Sequence, residues 1–300
     1  MNRRDFLKSA MIGGAALTVP MGLDPILTAL VAAEKTDLAV ASGTPPDKIT
    51  RAAIDALGGM KRFVSRGDVV VVKPNIGWDR TPEYAANTNP DVVAAVVRLC
   101  LEAGAKTVKV FDHPVSNPRR AYKQSGIADA AAAAGAAVSF IDDRKFKDMQ
   151  INGHSLKSWP LYTEVFEADK VINVPIAKTH GLSKLTLGMK NWMGVMGGSR
   201  GRIHQRVNES IVDLAIFIKP VLTILDAVRI LTDNGPQGGS LADVKRLNMV
   251  IAGTDAVAVD AFGATLFGMK PAELGCVRIG HQLKLGSMDL EKMKIKRITV

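Results

Sequence analysis

The sequence predicts an α/β protein with a mainly parallel sheet and helices on both faces, a Rossmann-like three-layer sandwich. Five short runs are mostly apolar and rich in β-branched residues, at 69–72, 108–111, 171–174, 221–225 and 249–252. Runs of this kind are typical of strands covered on both faces, as in a parallel sheet. Segments with helical periodicity lie between them, and such alternation is typical of α/β folds.

Four helices are predicted in addition to these strands. Three of them have a recognisable capping residue at the start and a glycine stop signal at the end. The first runs from Thr44-Pro45 to Gly58, the second from Asn89-Pro90 to Gly104, and the third from Asp255 to Gly268. The fourth is an alanine-rich helix over residues 128–137, which we expect to pack against the sheet. The closing segment, 295–300, is predicted to be an edge strand.

Composition and length limit the class of protein. A hydrophobic content of 47% with 23% charged residues is typical of a globular protein and excludes intrinsic disorder. One domain is predicted for residues 34–300, because no linker or internal repeat interrupts them. The two cysteines, Cys100 and Cys276, are too few for a Cys-ligated iron–sulfur cluster and permit at most one disulfide. Cys100 lies on an apolar helix face, which favours a buried free thiol.

The N-terminal residues have the features of a twin-arginine export signal. The segment RRDFLK at 3–8 precedes a weakly apolar stretch, 9–23, that is too short for a confident transmembrane helix. Small residues at 31–33 (VAA) provide a signal-peptidase site. We therefore predict a signal peptide over 1–33, cleaved after Ala33, with the twin-arginine translocase as partner during export to the periplasm. The alternative is a basic N-terminal anchor that stays attached.

Polar and ionisable residues follow four of the five apolar runs. They are Lys73 and Asn75, Asp112 and His113, Lys178 and His180, and Asp226. In open α/β sheets ligands bind beyond the carboxyl ends of the strands, so we expect these side chains to line one site. Any one of them alone is more often a solvated loop residue. Their occurrence at four strand ends favours a functional site.

A second segment, residues 188–204, combines glycines with basic side chains. Glycines allow backbone N–H groups to approach an anion, and lysine and arginine supply positive charge. The residues predicted to bind substrate or cofactor are Lys73, Asn75, Asp112, Asn191 and Arg202. The residues predicted to be catalytic are His180, Lys190 and Lys178. His180 is the expected acid–base group, because the reference pKa of histidine lies near neutrality.

A divalent metal is one candidate cofactor, with His204, Asp226 and His113 as its candidate ligands. A core or loop histidine is the alternative for each. The sequence has no P-loop, no dinucleotide fingerprint after the first apolar run and no zinc-protease motif. A Gly-x-Ser-x-Gly match at 197–201 follows no strand, which argues against a serine hydrolase. Nucleic-acid binding is not expected, because the basic residues lack interleaved aromatic residues.

Several segments, in one order, resemble the domain of unknown function 362 family over roughly residues 68–268. They are VVKPN at 71–75, TNP at 88–90, EAGA at 102–105, KTH at 178–180, KNWMG at 190–194, DAV at 226–228 and GTDAVAVD at 253–260. The resemblance implies little about activity. Some relatives are iron–sulfur proteins with a fused ferredoxin module, a role that does not carry over to a chain with two cysteines.

A more distant resemblance is to nickel-dependent lactate racemase, an α/β enzyme whose cofactor is tethered to a lysine near histidines. That resemblance implies that Lys190 is comparable to the tethering lysine, with His180 upstream.

Taken together, the sequence predicts an exported α/β enzyme that uses a metal or organic cofactor and acts on a small anionic substrate. One alternative is a non-catalytic protein that binds a cofactor or an anion. Another is an accessory subunit of an exported redox complex, with a partner protein in the cell envelope.

Overall fold

A ten-stranded, mostly parallel sheet organises residues 36–300, the part of the chain that the computed structural model describes. The strands are β1 (Leu38–Ser42), β2 (Val69–Pro74), β3 (Thr107–Val110), β4 (Ala137–Val138), β5 (Phe146–Gln150), β6 (Ser158–Tyr162), β7 (Lys170–Val174), β8 (Ile176–His180), β9 (Lys184–Thr186), β10 (Leu222–Leu231), β11 (Val244–Gly253) and β12 (Ile295–Thr299). The helices are α1 (Pro46–Ala56), α2 (Pro90–Glu102), α3 (Pro118–Gln124), α4 (Ile127–Ala133), α5 (Glu164–Glu167), α6 (Val207–Ile218), α7 (Ala256–Thr265) and α8 (Gly275–Gln282).

The strand order is β12-β1-β11-β10-β7-β2-β3-β4. Strands β10, β7, β2, β3 and β4 pair in parallel, whereas β11 pairs antiparallel with both β10 and β1. Strand β8 joins the sheet through β10 and forms an antiparallel hairpin with β9. Strands β5 and β6 form a separate two-stranded sheet. These pairings confirm the predicted α/β fold with a mainly parallel sheet.

Two hydrophobic cores cover the sheet, because alternate residues of a strand point to opposite faces. In β2, Val70 and Val72 pack in the core that contains the apolar faces of α1 and α2. Val71 packs in the other core, with Trp192 and the apolar residues of α6 and α7. Because a core covers each face, the central strands have no solvent-facing side, and this explains the mostly apolar runs in the sequence.

The five predicted strands are confirmed, and the helix ends follow from capping chemistry. The side chain of Asn89 accepts a hydrogen bond at the start of α2, and that of Asp255 does the same for α7. The first helix begins one residue later than predicted, with Pro45 rather than Thr44 at the N-cap. The alanine-rich helix ends at Ala133, because Gly135 at φ +97° turns the chain into β4. The closing segment is an edge strand, paired with β1.

Four residues predicted to follow strand ends lie inside strands instead. Two of them, Lys178 and His180, are within β8. Lys73 is within β2, and Asp226 is near the middle of β10. The apolar run stops at Leu225, where β10 changes the strand with which it pairs, but β10 itself continues to Leu231. Its first residues pair with β7, and from Asp226 onwards it pairs with β8.

Cys100 and Cys276 are both buried free thiols. They belong to different hydrophobic cores, on the two sides of the sheet, so they do not form a disulfide. The predicted signal peptide, 1–33, lies outside the described residues and stays a prediction. No helix within residues 36–300 is both long enough and apolar enough to cross a membrane.

Candidate functional site

A pocket with a volume of about 110 Å³ lies between the segments that follow β2 and β3, strand β8, and the segment 188–204. Eight of the eleven residues predicted for the site line it, namely Asn75, Asp112, His113, Lys178, His180, Lys190, Asn191 and His204. The other three lie elsewhere: Lys73 beneath the pocket, Arg202 beside it and Asp226 deep in the sheet. Most of the residues predicted for the site therefore come together around one pocket.

A buried ion pair joins Lys73 to Asp112 under the pocket. The Nζ of Lys73 lies 2.7 Å from Oδ1 of Asp112, and both side chains are almost completely buried. Lys73 also donates to the Pro74 carbonyl at 2.8 Å and to Oδ1 of Asn191 at 3.1 Å, so its three protons are all engaged. Burial lowers the pKa of Lys73, and Asp112 opposes that shift. Lys73 thus holds the pocket together and has no proton left for a ligand.

The carboxylate of Asp112 also fixes the two loops on either side of it. It accepts hydrogen bonds from the backbone N–H groups of Ile76, at 2.6 Å, and His113, at 2.9 Å. These bonds position the segments after β2 and β3 against each other. Asp112 is therefore a fully engaged group, unlike the lysines that face the cavity.

Lys178 and His180 reach the pocket because they are two residues apart on β8. Alternate residues of a strand share a face, so a Lys-x-His spacing places both side chains on one side. Lys178 is buried, and its Nζ donates to Oδ1 of Asn75 at 3.0 Å and to the Ala86 carbonyl. Burial, and then the nearby charge of Lys190, lowers the pKa of Lys178 to about 7.

Lys190 and Asn191 are positioned by a short 3₁₀ helix over Met189–Val195. Trp192 anchors this helix in the core with no exposed surface. The carboxylate of Asp260 in α7 holds its start, accepting from the N–H groups of Gly188 at 2.6 Å and Met189 at 2.9 Å. Asp260 is buried, and burial raises its pKa to about 7. Sequence reasoning did not single out this carboxylate, although it lies in the GTDAVAVD segment.

Lys190 has the least satisfied amine at the site. Within residues 36–300, its only hydrogen-bond acceptor is the thioether sulfur of Met193, at 3.3 Å. Sulfur is a weak acceptor, so most of the hydrogen-bonding capacity of this ammonium group is unused. Burial is the main cause that lowers the pKa of Lys190 to about 8, and the charge of Arg200 adds to it.

Arg200, rather than the predicted Arg202, lines the pocket. Its guanidinium group donates to the carbonyls of His113 and Pro114, so it tethers the loop after β3 to the 188–204 segment. Arg202 is exposed and lines a separate depression beside Trp159. Residues 200–206 form a 3₁₀ helix, in which Arg200 and His204 line the pocket and Arg202 does not.

The imidazole rings of His180 and His204 are stacked, with centroids 5.6 Å apart and planes 16° from parallel. His180 Nδ1 accepts from the Leu182 N–H at 3.1 Å, which places the proton of the neutral ring on Nε2. Burial and the charges of Lys190, His204 and Lys178 lower its pKa to about 3. This differs from the near-neutral pKa expected from the sequence. His180 is therefore a neutral hydrogen-bond donor in the free pocket.

The three predicted metal ligands do not meet in space. Asp226 lies away from the pocket and accepts from the N–H groups of Asn89 at 2.7 Å and Val228 at 2.9 Å, which fixes the start of α2. Burial raises its pKa to about 7. Nδ1 of His113 lies 2.8 Å from the Met196 carbonyl, and Nδ1 of His204 faces a carbonyl of its own helix.

In the described part of the chain, no group of three or more His, Cys, Asp or Glu side chains could hold a metal ion. The pocket presents lysine and arginine cations, and its one carboxylate is paired with Lys73. Donors of this kind fit an anion rather than a divalent cation.

Trp78 is one of the pocket residues that were not predicted from the sequence. Trp78 is half-buried at the pocket, and the side chain of Asn87 holds its backbone N–H and carbonyl, at 2.9 and 2.8 Å. Its aromatic ring gives the pocket one apolar wall, and Val115, an exposed residue, adds to it.

Comparisons with known proteins place the chain in a family. A thylakoid-associated protein of Synechocystis sp. is 30% identical over 250 residues, which cover 80% of this chain and 76% of that protein. The solved apoprotein of lactate racemase from Thermoanaerobacterium thermosaccharolyticum superposes with a TM-score of 0.49 at 11% identity, over 78% of this chain. The chain spans 57% of that structure, and at this score the likeness bears on neither activity nor ligand.

The family profile described as Domain of unknown function (DUF362) matches residues 70–265. This range agrees with the extent of the predicted resemblance, and it contains every residue described above as lining the pocket or positioning those that do. The chain therefore belongs to the DUF362 family.

Proposed function

We propose that the pocket binds a small anionic substrate and that Lys178 exchanges a proton with it. The observation that carries the proposal is the unused hydrogen-bonding capacity of two buried lysines. Among residues 36–300, Lys178 has two oxygen acceptors for its three protons, and Lys190 has only a thioether sulfur. Buried N–H groups normally have a partner, and a carboxylate or phosphate oxygen in the pocket would supply it.

The charges around the pocket support the same ligand class. Lys178, Lys190 and Arg200 all line it, while the carboxylate of Asp112 is engaged by Lys73. Several cations in a partly desolvated cleft attract an anion and repel a cation. An anionic organic cofactor would use the same donors. No step of the proposed reaction runs through a metal ion.

Lys178 is better suited than His180 to accept a proton. A pKa of about 7 leaves a large fraction of Lys178 neutral near neutral pH, as a general base requires. His180 keeps its proton on Nε2 and would donate a hydrogen bond to the substrate. The acid–base role that the sequence predicted for His180 is thus assigned to Lys178, two residues earlier on β8.

Replacing Lys190 should weaken anion binding strongly. We expect Lys190→Met to reduce the affinity for sulfate roughly 10- to 100-fold, because a charge-assisted hydrogen bond contributes about 1.5–3 kcal/mol. The measurement is isothermal titration calorimetry on the full chain. The matched control is Lys147→Met, since Lys147 is exposed on β5 and lies outside the pocket. Equal affinities for both variants would contradict the anion site.

Anion affinity should depend on pH in a defined direction. The pKa values of Lys178 and Lys190, about 7 and about 8, mean that the free pocket loses positive charge as pH rises through that interval. An anion favours the protonated amines, so affinity should be highest below pH 7 and fall above it, with proton uptake on binding. Sulfate is a suitable probe, because its own charge is constant over this range. Titrations in two buffers of different ionisation enthalpy measure the proton uptake, and a pH-independent affinity would exclude this mechanism.

We also propose that the protein is exported by the twin-arginine route and meets any partner protein in the cell envelope. The support is the RRDFLK segment at 3–8 and the name of the thylakoid-associated relative, which locates that protein at a membrane system. N-terminal sequencing of protein recovered from the producing cells should start after Ala33. A chain that retains residues 1–33 would contradict cleavage.

A further inference from the structure

The hydrogen bonds of Lys178 define where the lone pair of its amine points. A neutral primary amine has two N–H bonds and one lone pair in a near-tetrahedral arrangement. The Ala86 carbonyl and Oδ1 of Asn75 accept those two protons, so the lone pair takes the remaining direction. Lys178 lines the pocket and is otherwise enclosed by protein, with 1% of its surface exposed. The remaining direction is therefore the one open to a ligand.

The charges around Lys178 favour its neutral form. Lys190 and Lys73 are the cations that act on it, and Asp112 is the carboxylate that opposes them. Asp112 Oδ1 is paired with the Nζ of Lys73 at 2.7 Å, so its negative charge compensates the charge of only one of the three lysines. A buried lysine beside another cation is the arrangement that makes an amine nucleophilic near neutral pH.

Lys190 is suited to a different task from Lys178. Its amine has no oxygen acceptor within residues 36–300, so nothing orients a lone pair, and its higher pKa keeps more of it protonated. A protonated Lys190 can pair with a carboxylate or donate a proton to a leaving oxygen. The two lysines thus provide a nucleophile and an acid on one small pocket.

We propose that Lys178 forms an imine with a small oxo acid, so that the anion bound by the pocket also carries a ketone or aldehyde group. This inference rests on the proposed anion site, gives Lys178 a nucleophilic role in place of the general-base role, and adds the substrate class and the covalent step.

The step balances without an oxidant or a reductant. The lone pair of Lys178 Nζ adds to the carbonyl carbon, and transfer of one amine proton to the former carbonyl oxygen gives a neutral carbinolamine. The C–O bond then breaks, and the nitrogen lone pair forms the C=N bond. Lys190 donates one proton to the departing hydroxide, so water leaves and a protonated imine remains. Hydrolysis reverses the sequence.

The test is reductive trapping on the full chain. Protein is incubated near pH 7.5 with pyruvate or glyoxylate and sodium cyanoborohydride, which reduces an imine to a stable secondary amine, and the modified lysines are located by peptide mass spectrometry. At this pH an unperturbed lysine is only roughly 0.1% neutral. We expect Lys178 to be modified at least about tenfold faster than the lysines outside the pocket, given that difference in neutral amine.

Peptide mapping of the unmutated protein identifies the reacting lysine whether or not a Lys178 variant folds. Lys178→Met should abolish the preferential adduct, while Lys147→Met should leave it unchanged. An adduct mainly on Lys190, or equal labelling of all lysines, would overturn the assignment to Lys178. Sulfate titration of the same sample separates the two proposals. Sulfate binding without an adduct on Lys178 would overturn the imine and leave the anion site standing, and absence of sulfate binding would overturn the anion site itself.

Discussion

Asp112→Asn is expected to lower the free energy of unfolding by about 3–5 kcal/mol, because it leaves a buried cation without its counterion. Lys73 has no exposed surface, and Asp112 is the carboxylate that pairs with it. The carboxylate oxygens accept hydrogen bonds from the backbone N–H groups of Ile76 and His113. Asparagine replaces one of these acceptor oxygens by an N–H donor, so one of the two bonds is also lost. The expected result is therefore a loss of both the ion pair and the fixed geometry of two loops.

Urea denaturation followed by circular dichroism measures this loss. The matched control is Asp129→Asn, which removes the ion pair between Asp129 and Lys123. The side chains of these two residues are 65% and 74% exposed, respectively. An exposed pair contributes at most about 1 kcal/mol, so this control should differ little from the unmutated protein. A loss of similar size in the two variants would show that the pair of Lys73 and Asp112 does not stabilise the fold.

Gly194→Ala is expected to have the second largest effect, because there is no room for a side chain at this position. An added Cβ would overlap Oδ1 of Asp112 and Nζ of Lys73, and it would also come within 2.9 Å of Cε of Lys73. Overpacking of a filled site typically destabilises by about 1–3 kcal/mol. Here the overlapped atoms form a buried ion pair, so we expect a loss at or above the upper end of that range.

Gly201→Ala is the matched control for this substitution. It makes the same chemical change seven residues later in the 188–204 segment, where nothing lies within 4 Å of the added Cβ. Thermal unfolding of the two variants under one condition is the measurement. A Gly194 variant as stable as the Gly201 variant, with unchanged sulfate affinity, would contradict the close packing of Gly194 on the ion pair.

The prediction of the site from the sequence succeeded where local pattern and topology agree. Asn75 and His113 follow parallel strands, and the carboxyl ends of such strands meet at one edge of the sheet. Lys178 and His180 also reach the pocket, but from within β8 rather than from beyond a strand end as predicted, and their two-residue spacing places both side chains on one face. Asp226 shows the limit of this reasoning. Its apolar run ends where the strand changes neighbour, which the sequence does not reveal.

The distinction between Lys73, Lys178 and Lys190 could not be made from the sequence. All three are lysines beside glycines, prolines or apolar strands, and each was assigned a role in binding or catalysis. Only the positions of their acceptors separate them, since Lys73 has three, Lys178 two and Lys190 a single sulfur. Most of those acceptors come from segments far apart in the chain, as Asn191 does for Lys73 and Asn75 for Lys178. The pKa values of about 7 and about 8 for Lys178 and Lys190 likewise depend on burial that arises only in the folded protein.

The sequence by itself determined the α/β class, the five strands of the apolar runs, the caps of two helices and the family. These depend on local spacing, on side-chain shape and on motifs that lie in one order along the chain. Tertiary structure alone decided that Arg200 rather than Arg202 borders the pocket, that Asp226 supports α2, and which acceptors each lysine has. The physical reason is that hydrogen-bond satisfaction and desolvation are properties of an enclosed volume, and that volume is assembled from segments distant in the sequence.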